Sequence, residues 1–347
     1  MNAPERFAAA CAGRPVDRIP VWMMRQAGRY LPEYRAVREH VDFLTLCKTP
    51  ELAAKVSLQP VERFGVDACI VFSDILIPVE AMGAPIEFGD AGPRLAQPIR
   101  SSADVDRLHV PDPDAETPFV MEALRRTRAV LDNRAALVGF SGAPFTLAAY
   151  LVEGGGSKNF AAVKSLMYAE PRVLDALLAK LSDAVSEYVA AQAAAGAQAI
   201  QIFDTWAGEL EPSAYERFAM PYQAAVIERV KRCGIPAILY ANNCSPILER
   251  MARTGANVLS VDWRLDLAEA RARTGGRCAL QGNVDPCALL STPEVTIAAA
   301  RAAMQSAGPI GHILNLGHGI LPKTPLACAH AFVAAAREYS ESGVGMG

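Results

Sequence analysis

The chain has 347 residues, of which 51% are hydrophobic and 20% are charged, enough apolar material for the large core of an enzyme-sized globular protein. Its net charge of −3 gives no support for general attraction to nucleic acid or to a membrane surface, so any anion site must be local. The eight cysteines include no Cys-x-x-Cys pair, which argues against a disulfide framework. The amino terminus predicts no signal or transit peptide and no long apolar span follows, so we expect a cytoplasmic protein.

The first informative stretch is an apolar run that ends in a cluster of cations. Residues 19–24 are apolar, and Arg25, Gly28 and Arg29 follow at once, which predicts a buried strand opening into a cation-rich loop. Planar guanidinium groups hold carboxylates through paired hydrogen bonds. From spacing alone, an anion site and a helix start with solvated arginines are equally good interpretations.

A repeated pattern then organises most of the chain: an amphipathic segment, a glycine, a continuous apolar run, and a polar residue where the run stops. Each glycine can end a helix, and continuous apolar runs are typical of strands covered on both faces. With residues 18–24 and 135–142 added, the pattern predicts eight parallel strands. No dinucleotide glycine fingerprint follows the first strands, so we predict a single α/β domain over residues 1–347, a (β/α)8 TIM barrel. The six repeats are 64–74, 195–204, 233–243, 254–263, 275–283 and 308–319.

Two segments depart from this repeat. Residues 82–118 are rich in proline and predict a long insertion on the rim of the barrel, with a hairpin around Asp90-Ala91-Gly92. Residues 340–347 have no apolar pattern, and we expect a frayed tail.

The carboxyl ends of barrel strands meet at one mouth, where catalytic groups of this fold are found. Asp74 ends one apolar run and is followed by more apolar residues, so its carboxylate needs a positive partner such as Arg25 or a cationic ligand. His318 lies between two glycines, which lets its ring approach a substrate, although capping a turn is the alternative. For Asp204 and Asp262 we expect the structural role of holding neighbouring loops.

Two stretches resemble a phosphate-binding loop and a zinc site, but neither has the required residues. The sequence Gly-Gly-Gly-Ser-Lys at 154–158 lacks the spacing and ending of a phosphate-binding loop. Cys244 has Asn242 two residues before it where a zinc ligand pair would have histidine, and no pair of histidines has metal-ligand spacing. We therefore predict neither a nucleotide site nor a metal site.

Several stretches match a family signature residue by residue, which is more specific evidence than their composition or spacing. Residues 24–35, MRQAGRYLPEYR, resemble the amino-terminal signature of the uroporphyrinogen decarboxylase family, and further stretches resemble its later signatures in the same order. The resemblance covers residues 4 to about 338 and implies the same TIM-barrel fold. The later stretches are FSDIL (72–76), GAPFTLAAYLVEGGGS (142–157), IFDTWAG (202–208), QGNVDP (281–286) and NLGHGILP (315–322).

The resemblance assigns roles residue by residue. It implies catalytic roles for Asp74, Arg25, His318 and Tyr150. Thr205 stands where the family has serine, so the hydroxyl is kept and a methyl is added, and residues 240–245 diverge from the family loop and receive no role. The implied substrate contacts are Arg25, Gln26, Ala27, Arg29, Asp74, Tyr150, Thr205 and His318.

The implied activity is a carboxy-lyase step of heme biosynthesis. Members of the family remove the carboxylates of the four acetate side chains of uroporphyrinogen III to give coproporphyrinogen III, with no cofactor, and they form homodimers. The resemblance leaves the proton donor and the dimer interface unassigned.

Two other interpretations compete. The first is a methyltransferase of a related barrel group, which would need zinc and a corrinoid partner and would carry His-x-Cys where this chain has Asn242-Asn243-Cys244. The second is a tetrapyrrole carrier without catalysis, against which the presence of Asp74 with both arginines argues, because a carrier needs no carboxylate beneath the pyrroles.

Overall fold

A computed structural model describes residues 1–89 and 92–341. Its strands are β1 (Ala68–Ile70), β2 (Ile86–Gly89), β3 (Gly92–Leu95), β4 (Ala136–Gly142), β5 (Ala199–Phe203), β6 (Ala237–Tyr240), β7 (Val258–Ser260), β8 (Ala279–Val284) and β9 (His312–Leu316). Seven of these strands form one sheet in which every neighbouring pair is parallel and the order is β1-β4-β5-β6-β7-β8-β9.

The predicted first strand joins the two edges of this sheet. Val21 forms a parallel bridge with Leu314 of β9, and its carbonyl accepts a hydrogen bond of 2.8 Å from the Asp67 N–H before β1. The sheet therefore curls into a TIM-barrel-like fold, as predicted. The eighth strand is reduced to this bridge because Pro20 has no N–H and the Val21 N–H donates instead to the Asp67 side chain, at 2.9 Å.

Helices follow the strands and cover the outside of the sheet. In α11 (Pro171–Ala194), the apolar residues Leu174, Leu178, Leu181 and Val185 recur at helical spacing and are all fully buried. The helices are α1 (Ala3–Cys11), α2 (Pro32–Arg38), α3 (Phe43–Lys48), α4 (Pro50–Phe64), α5 (Ile77–Ala81), α6 (Ser102–Asp106), α7 (Pro113–Glu116), α8 (Pro118–Leu131), α9 (Pro144–Glu153), α10 (Ala161–Ala169), α11 (Pro171–Ala194), α12 (Pro212–Phe218), α13 (Met220–Arg232), α14 (Leu248–Ala252), α15 (Leu267–Thr274), α16 (Pro293–Ala307) and α17 (Leu326–Glu341). None of the helices within the described residues has the length and apolar character needed to cross a membrane.

A layer of hydrogen-bonded polar side chains lies inside the barrel. The Gln281 amide donates to the Gln201 side-chain oxygen at 3.0 Å and to Ser260 Oγ at 2.9 Å, and its oxygen accepts from the Trp22 indole at 3.0 Å. All four side chains are fully buried, so these bonds offset the cost of removing polar groups from water.

The proline-rich insertion has two parts. Strands β2 and β3 form the expected antiparallel hairpin, and the Leu95 N–H donates to the Gly154 carbonyl at 3.1 Å, which joins the hairpin to the end of α9. Residues 90–91 of the predicted turn lie outside the described residues. The second part lies against the outer helices, because Lys180 of α11 donates to the carbonyls of Val105 and Leu108 at 2.8 Å each.

The carboxyl-terminal tail differs from the prediction at its start. Helix α17 continues to Glu341, so the first two residues of the predicted frayed tail are helical. Residues 342–347 lie outside the described residues.

Candidate active site

A cavity of about 610 Å³ opens where the parallel strands end. Apolar and aromatic side chains provide most of its wall, and the polar groups among them come from different strand ends, as in other barrels of this kind. Seven of the eight predicted substrate contacts line it: Arg25, Ala27, Arg29, Asp74, Tyr150, Thr205 and His318. A groove of about 750 Å³ lies elsewhere, on the outside of α4 and away from the strand ends.

The loop that carries the arginines is anchored at Met24, directly before Arg25. The Met24 N–H donates to the Asn315 side-chain oxygen at 2.8 Å, and the Met24 carbonyl accepts from the Ile320 N–H at 2.9 Å. Arg25 itself has a φ of +61°, a left-handed conformation that is uncommon outside glycine. The backbone thus turns sharply after the closing segment, and the side chain is directed into the cavity wall.

Neither Arg25 nor Arg29 is neutralised by the protein. No acidic side chain in the described part of the chain forms an ion pair with either guanidinium. Both side chains are exposed at the cavity. Two unpaired cations beside a largely apolar cavity favour an anionic ligand over the alternative of a simple helix start.

Gln26 is the predicted contact that the cavity does not include. Its side chain is fully buried, with its oxygen accepting from the Met23 N–H at 3.1 Å and its amide donating to the Ala68 carbonyl at 2.9 Å. This side chain therefore fastens the arginine loop to β1 and does not line the cavity, and the contact of Gln26 with a substrate stays a prediction. Its direction depends on the left-handed turn at Arg25, which sequence does not reveal.

Asp74 lies just past the end of β1, among the apolar residues expected from the sequence. Its Oδ1 accepts a hydrogen bond of 2.8 Å from the Leu76 N–H. Burial raises the pKa of this carboxyl to about 6, against the opposing effects of that hydrogen bond and of the positive charge of Arg25. The carboxylate is thus charged at neutral pH but poorly compensated, a state typical of functional groups.

His318 is neutral at physiological pH. Burial, followed by the charges of Arg25 and Arg264, lowers its pKa to about 4. The Gly319 N–H donates to His318 Nδ1 at 2.6 Å, which fixes the ring hydrogen on Nε2. His318 therefore caps its own turn through Nδ1, and it can offer a hydrogen-bond donor at Nε2.

Tyr150 and Thr205 complete the polar wall. Tyr150 is in the last turn of α9, and its ring lies 6.2 Å from that of Trp206, centroid to centroid. Burial, and then the negative charge of Asp74, raise the pKa of its hydroxyl, so the group remains protonated. Thr205 follows the end of β5 and presents its hydroxyl-bearing side chain to the same cavity.

The structure confirms the supporting role expected for Asp204 and Asp262. Asp204 is fully buried and accepts from the Thr146 N–H and hydroxyl, at 3.0 and 2.6 Å, and from Gln223. Asp262 accepts from the Asn243 N–H and from Arg264. Neither lines the cavity.

Comparison with known sequences identifies the family. The sequence profile described as uroporphyrinogen decarboxylase (URO-D) matches residues 2–339. The chain belongs to the uroporphyrinogen decarboxylase family. It is 49% identical to the uroporphyrinogen decarboxylase of Myxococcus xanthus over 96% of both chains, and 51% identical to that of Geobacter metallireducens over 92% of this chain and 94% of the relative.

Solved structures agree on the fold. A methyltransferase from Methanosarcina mazei superposes with a TM-score of 0.85 at 26% identity, over 98% of this chain and 99% of that one. A B12-independent methionine synthase from Shewanella has a TM-score of 0.57 at 11% identity, over 85% and 88% of the two chains, which shows the fold alone.

Two features of the cavity were not predicted from the sequence. One is an aromatic wall, in which the ring of Phe72 lies 5.7 Å from that of Tyr34 and 5.9 Å from that of Phe43, centroid to centroid. The other is a second carboxylate, Asp285, which lines the cavity and accepts from the Cys287 N–H at 2.9 Å. Asp285 could have been found because it follows the end of β8 within the QGNVDP signature. The aromatic wall gave no comparable signal, because two of its rings come from α2 and α3, outside the strand ends.

Proposed function

We propose that the chain decarboxylates the four acetate side chains of uroporphyrinogen III to give coproporphyrinogen III, a carboxy-lyase step of heme biosynthesis, and that the cavity at the strand ends is where this occurs. Family membership supports the reaction. The single observation that carries the site assignment is the combination of unpaired Arg25 and Arg29 with a poorly compensated Asp74 in one largely apolar cavity.

The arginines act first, by orienting the substrate. The substrate is a polyanion, and each free guanidinium offers two parallel donors to a carboxylate. The apolar and aromatic wall accommodates the tetrapyrrole, so that a chosen acetate is held against the polar groups of the mouth.

Asp74 acts on the electron-rich ring. Protonation of a pyrrole carbon makes the ring cationic, and the bond between the acetate methylene and its carboxylate can then break, with the electron pair moving into the ring and carbon dioxide leaving. A proton added to the methylene carbon completes the methyl group, and loss of the ring proton restores the pyrrole. The negative charge of Asp74 stabilises the cation as it develops, and no cofactor is needed because the ring is the electron sink.

The neutral groups hold the substrate in place. His318 donates from Nε2, and Tyr150 and Thr205 offer hydroxyl groups, all without adding charge to the cavity. Since none of the three is ionised at neutral pH, they change the net charge of the site neither before nor after carbon dioxide leaves. We assign Gln26 to support of the arginine loop.

The decisive experiment is incubation of purified, metal-depleted protein with uroporphyrinogen generated under anaerobic conditions, followed by oxidation and mass analysis of the porphyrins. Stepwise loss of four molecules of carbon dioxide is expected, and the Asp74→Asn variant serves as the matched control. Binding of the tetrapyrrole without any loss of carbon dioxide would contradict the proposal and favour the carrier interpretation.

The structural likeness to the methyltransferase from Methanosarcina mazei supports a second candidate function, methyl transfer that depends on zinc. Against it, Cys244 is fully buried, and burial raises the pKa of its thiol to about 12, far from the thiolate that a zinc site needs. In the described residues no three histidine, cysteine or acidic side chains are grouped to hold a metal. Stoichiometric zinc in the purified protein, with methyl transfer in place of decarboxylation, would support the methyltransferase instead.

We propose in addition that the protein works in the cytoplasm as a homodimer, as the family resemblance implies. Sedimentation at several protein concentrations tests the dimer. A monomer at the concentration used for the activity assay would contradict it.

A further inference from the structure

The side chain of Arg25 crosses Gly319 at very short range. A Cβ atom built on Gly319 would lie 2.3 Å from Arg25 Cδ, 2.8 Å from Cγ and 3.0 Å from Nε, well inside the 3.5–4.0 Å of ordinary carbon contacts. The three heavy atoms nearest to that hypothetical atom all belong to the Arg25 side chain. The closest restriction on a side chain at position 319 therefore comes from Arg25.

The backbones of Arg25 and Gly319 are held beside each other through their neighbours. Met24, directly before Arg25, donates its N–H to Asn315 Oδ1, and its carbonyl accepts from the N–H of Ile320, which directly follows Gly319. Arg25 itself has a φ of +61°. Because the two backbones are joined in this way, the path of the Arg25 side chain depends on the space above Gly319.

We propose that Gly319 is a positioning residue whose missing side chain forms the seat of Arg25 and so sets where the guanidinium meets a substrate carboxylate. This inference rests on the proposed role of Arg25. Gly319 touches no reacting atom and acts through the arginine. Its backbone N–H also orients His318, so one residue aligns two polar groups of the site.

Other glycines provide the contrast that makes the proposal testable. A Cβ on Gly317 would lie 2.5 Å from the backbone nitrogen of Trp263, so alanine there would disturb the fold itself. A Cβ on Gly156 would meet nothing within 4 Å. Neither Gly156 nor Gly319 has a positive φ, so both can become alanine without backbone strain.

The test is a double-mutant cycle with Gly319→Ala, Arg25→Ala and the two together, with Gly156→Ala as the control. Gly319→Ala keeps the N–H that orients His318, and its added methyl group is expected to displace the Arg25 side chain. We expect kcat/KM to fall by roughly 10- to 100-fold, the scale of a misplaced substrate-orienting group, with an unchanged melting temperature. In the Arg25→Ala background the same substitution should have no further effect, and Gly156→Ala should match the wild type.

An equal loss from Gly319→Ala in both backgrounds would overturn the proposal, and so would full activity of the single variant. A crystal structure of Gly319→Ala supplies a readout besides activity: the proposal requires a displaced Arg25 guanidinium and fails if it stays in place. Wild-type activity of Arg25→Ala would count against the proposed role of Arg25, whereas the crystal structure would still decide whether Gly319 seats it.

Discussion

Strand β1 has an aspartate near each end, and the two carboxylates differ in how many charged and hydrogen-bonding partners they have. Asp67, before the strand, is 1% exposed and accepts from Arg6 at 3.0 Å, from Arg18 at 2.6 and 2.7 Å, and from the Val21 N–H. Asp74, past the other end, accepts one hydrogen bond, and burial raises its pKa to about 6. The same residue type therefore has its charge fully compensated at one end of the barrel and poorly compensated at the other.

This difference teaches where the protein uses its ionic groups for stability and where it keeps them for a ligand. At the amino-terminal end, carboxylate and arginines satisfy each other and fasten the closing segment to β1. At the mouth, Arg25 and Arg29 lack acidic partners within the described chain, so their pairing capacity is available to substrate. Substitutions at the amino-terminal end should therefore change mainly stability, and substitutions at the mouth should change mainly catalysis or substrate binding.

The largest effect is expected at Asp67. Asp67→Asn removes the charge that compensates two largely buried guanidinium groups, and we expect the free energy of unfolding to fall by about 3–5 kcal/mol. Turnover per folded molecule should stay close to wild type. Denaturant unfolding measures the first quantity. Asp17→Asn is the control, because Asp17 also pairs with Arg6 but is 42% exposed, and its loss should cost at most about 1 kcal/mol. Equal losses from the two variants would break the comparison.

Asp74→Asn should show the reverse pattern. Asparagine keeps an acceptor for the Leu76 N–H but removes the charge, so kcat should fall about 10²- to 10³-fold, or roughly 2.7–4 kcal/mol of transition-state stabilisation. Stability should be equal or higher, because burial disfavours the charged carboxylate. Steady-state kinetics and thermal unfolding measure the two effects, and near-normal turnover would refute the assigned role.

Arg29→Ala tests the second unpaired arginine that lines the cavity. Loss of a charge-assisted contact of about 1.5–3 kcal/mol should weaken substrate binding roughly 10- to 100-fold and leave the melting temperature unchanged. Arg63→Ala is the matched control, since Arg63 pairs with Glu33 at 2.6 Å outside the cavity. An unchanged KM in Arg29→Ala would mean that this arginine is merely solvated.

The smallest effect is the dependence on pH. With a pKa of about 6 for Asp74, kcat/KM should halve near pH 6 and fall tenfold per unit below it, and Asp74→Asn should flatten this limb. Stability changes in the opposite direction. Between about pH 4 and 6 the folded state binds more protons at Asp74 than the unfolded state does, so the free energy of unfolding falls as pH rises through that window. A rate profile that is flat down to pH 5 would contradict the assignment.

Much of this architecture follows from the sequence, because continuous apolar runs and glycine stops are physical requirements of buried parallel strands. All eight predicted strand segments take part in the barrel, although the first is reduced to a bridge at Val21. The lining of the cavity was predictable where side chains follow strand ends, as with Asp74, Thr205 and His318.

The remainder depends on geometry that local patterns do not encode. Gln26 points into the core because Arg25 adopts a left-handed turn, and the aromatic wall depends on how α2 and α3 fold over the mouth. The compensation of Asp67 was equally hidden, since Arg6 and Arg18 reach it only after α1 and the closing segment are in place.

The order of synthesis decides when the arginine loop can be anchored. Met24 and Asn315 are 291 positions apart, so the loop with Arg25 and Arg29 leaves the ribosome almost a whole chain length before the residue that holds it. His318 and Gly319 are synthesised only a few residues later. A nascent chain can therefore fold most of its inner strands before it has an anion site, and competence to bind substrate comes with the final strand.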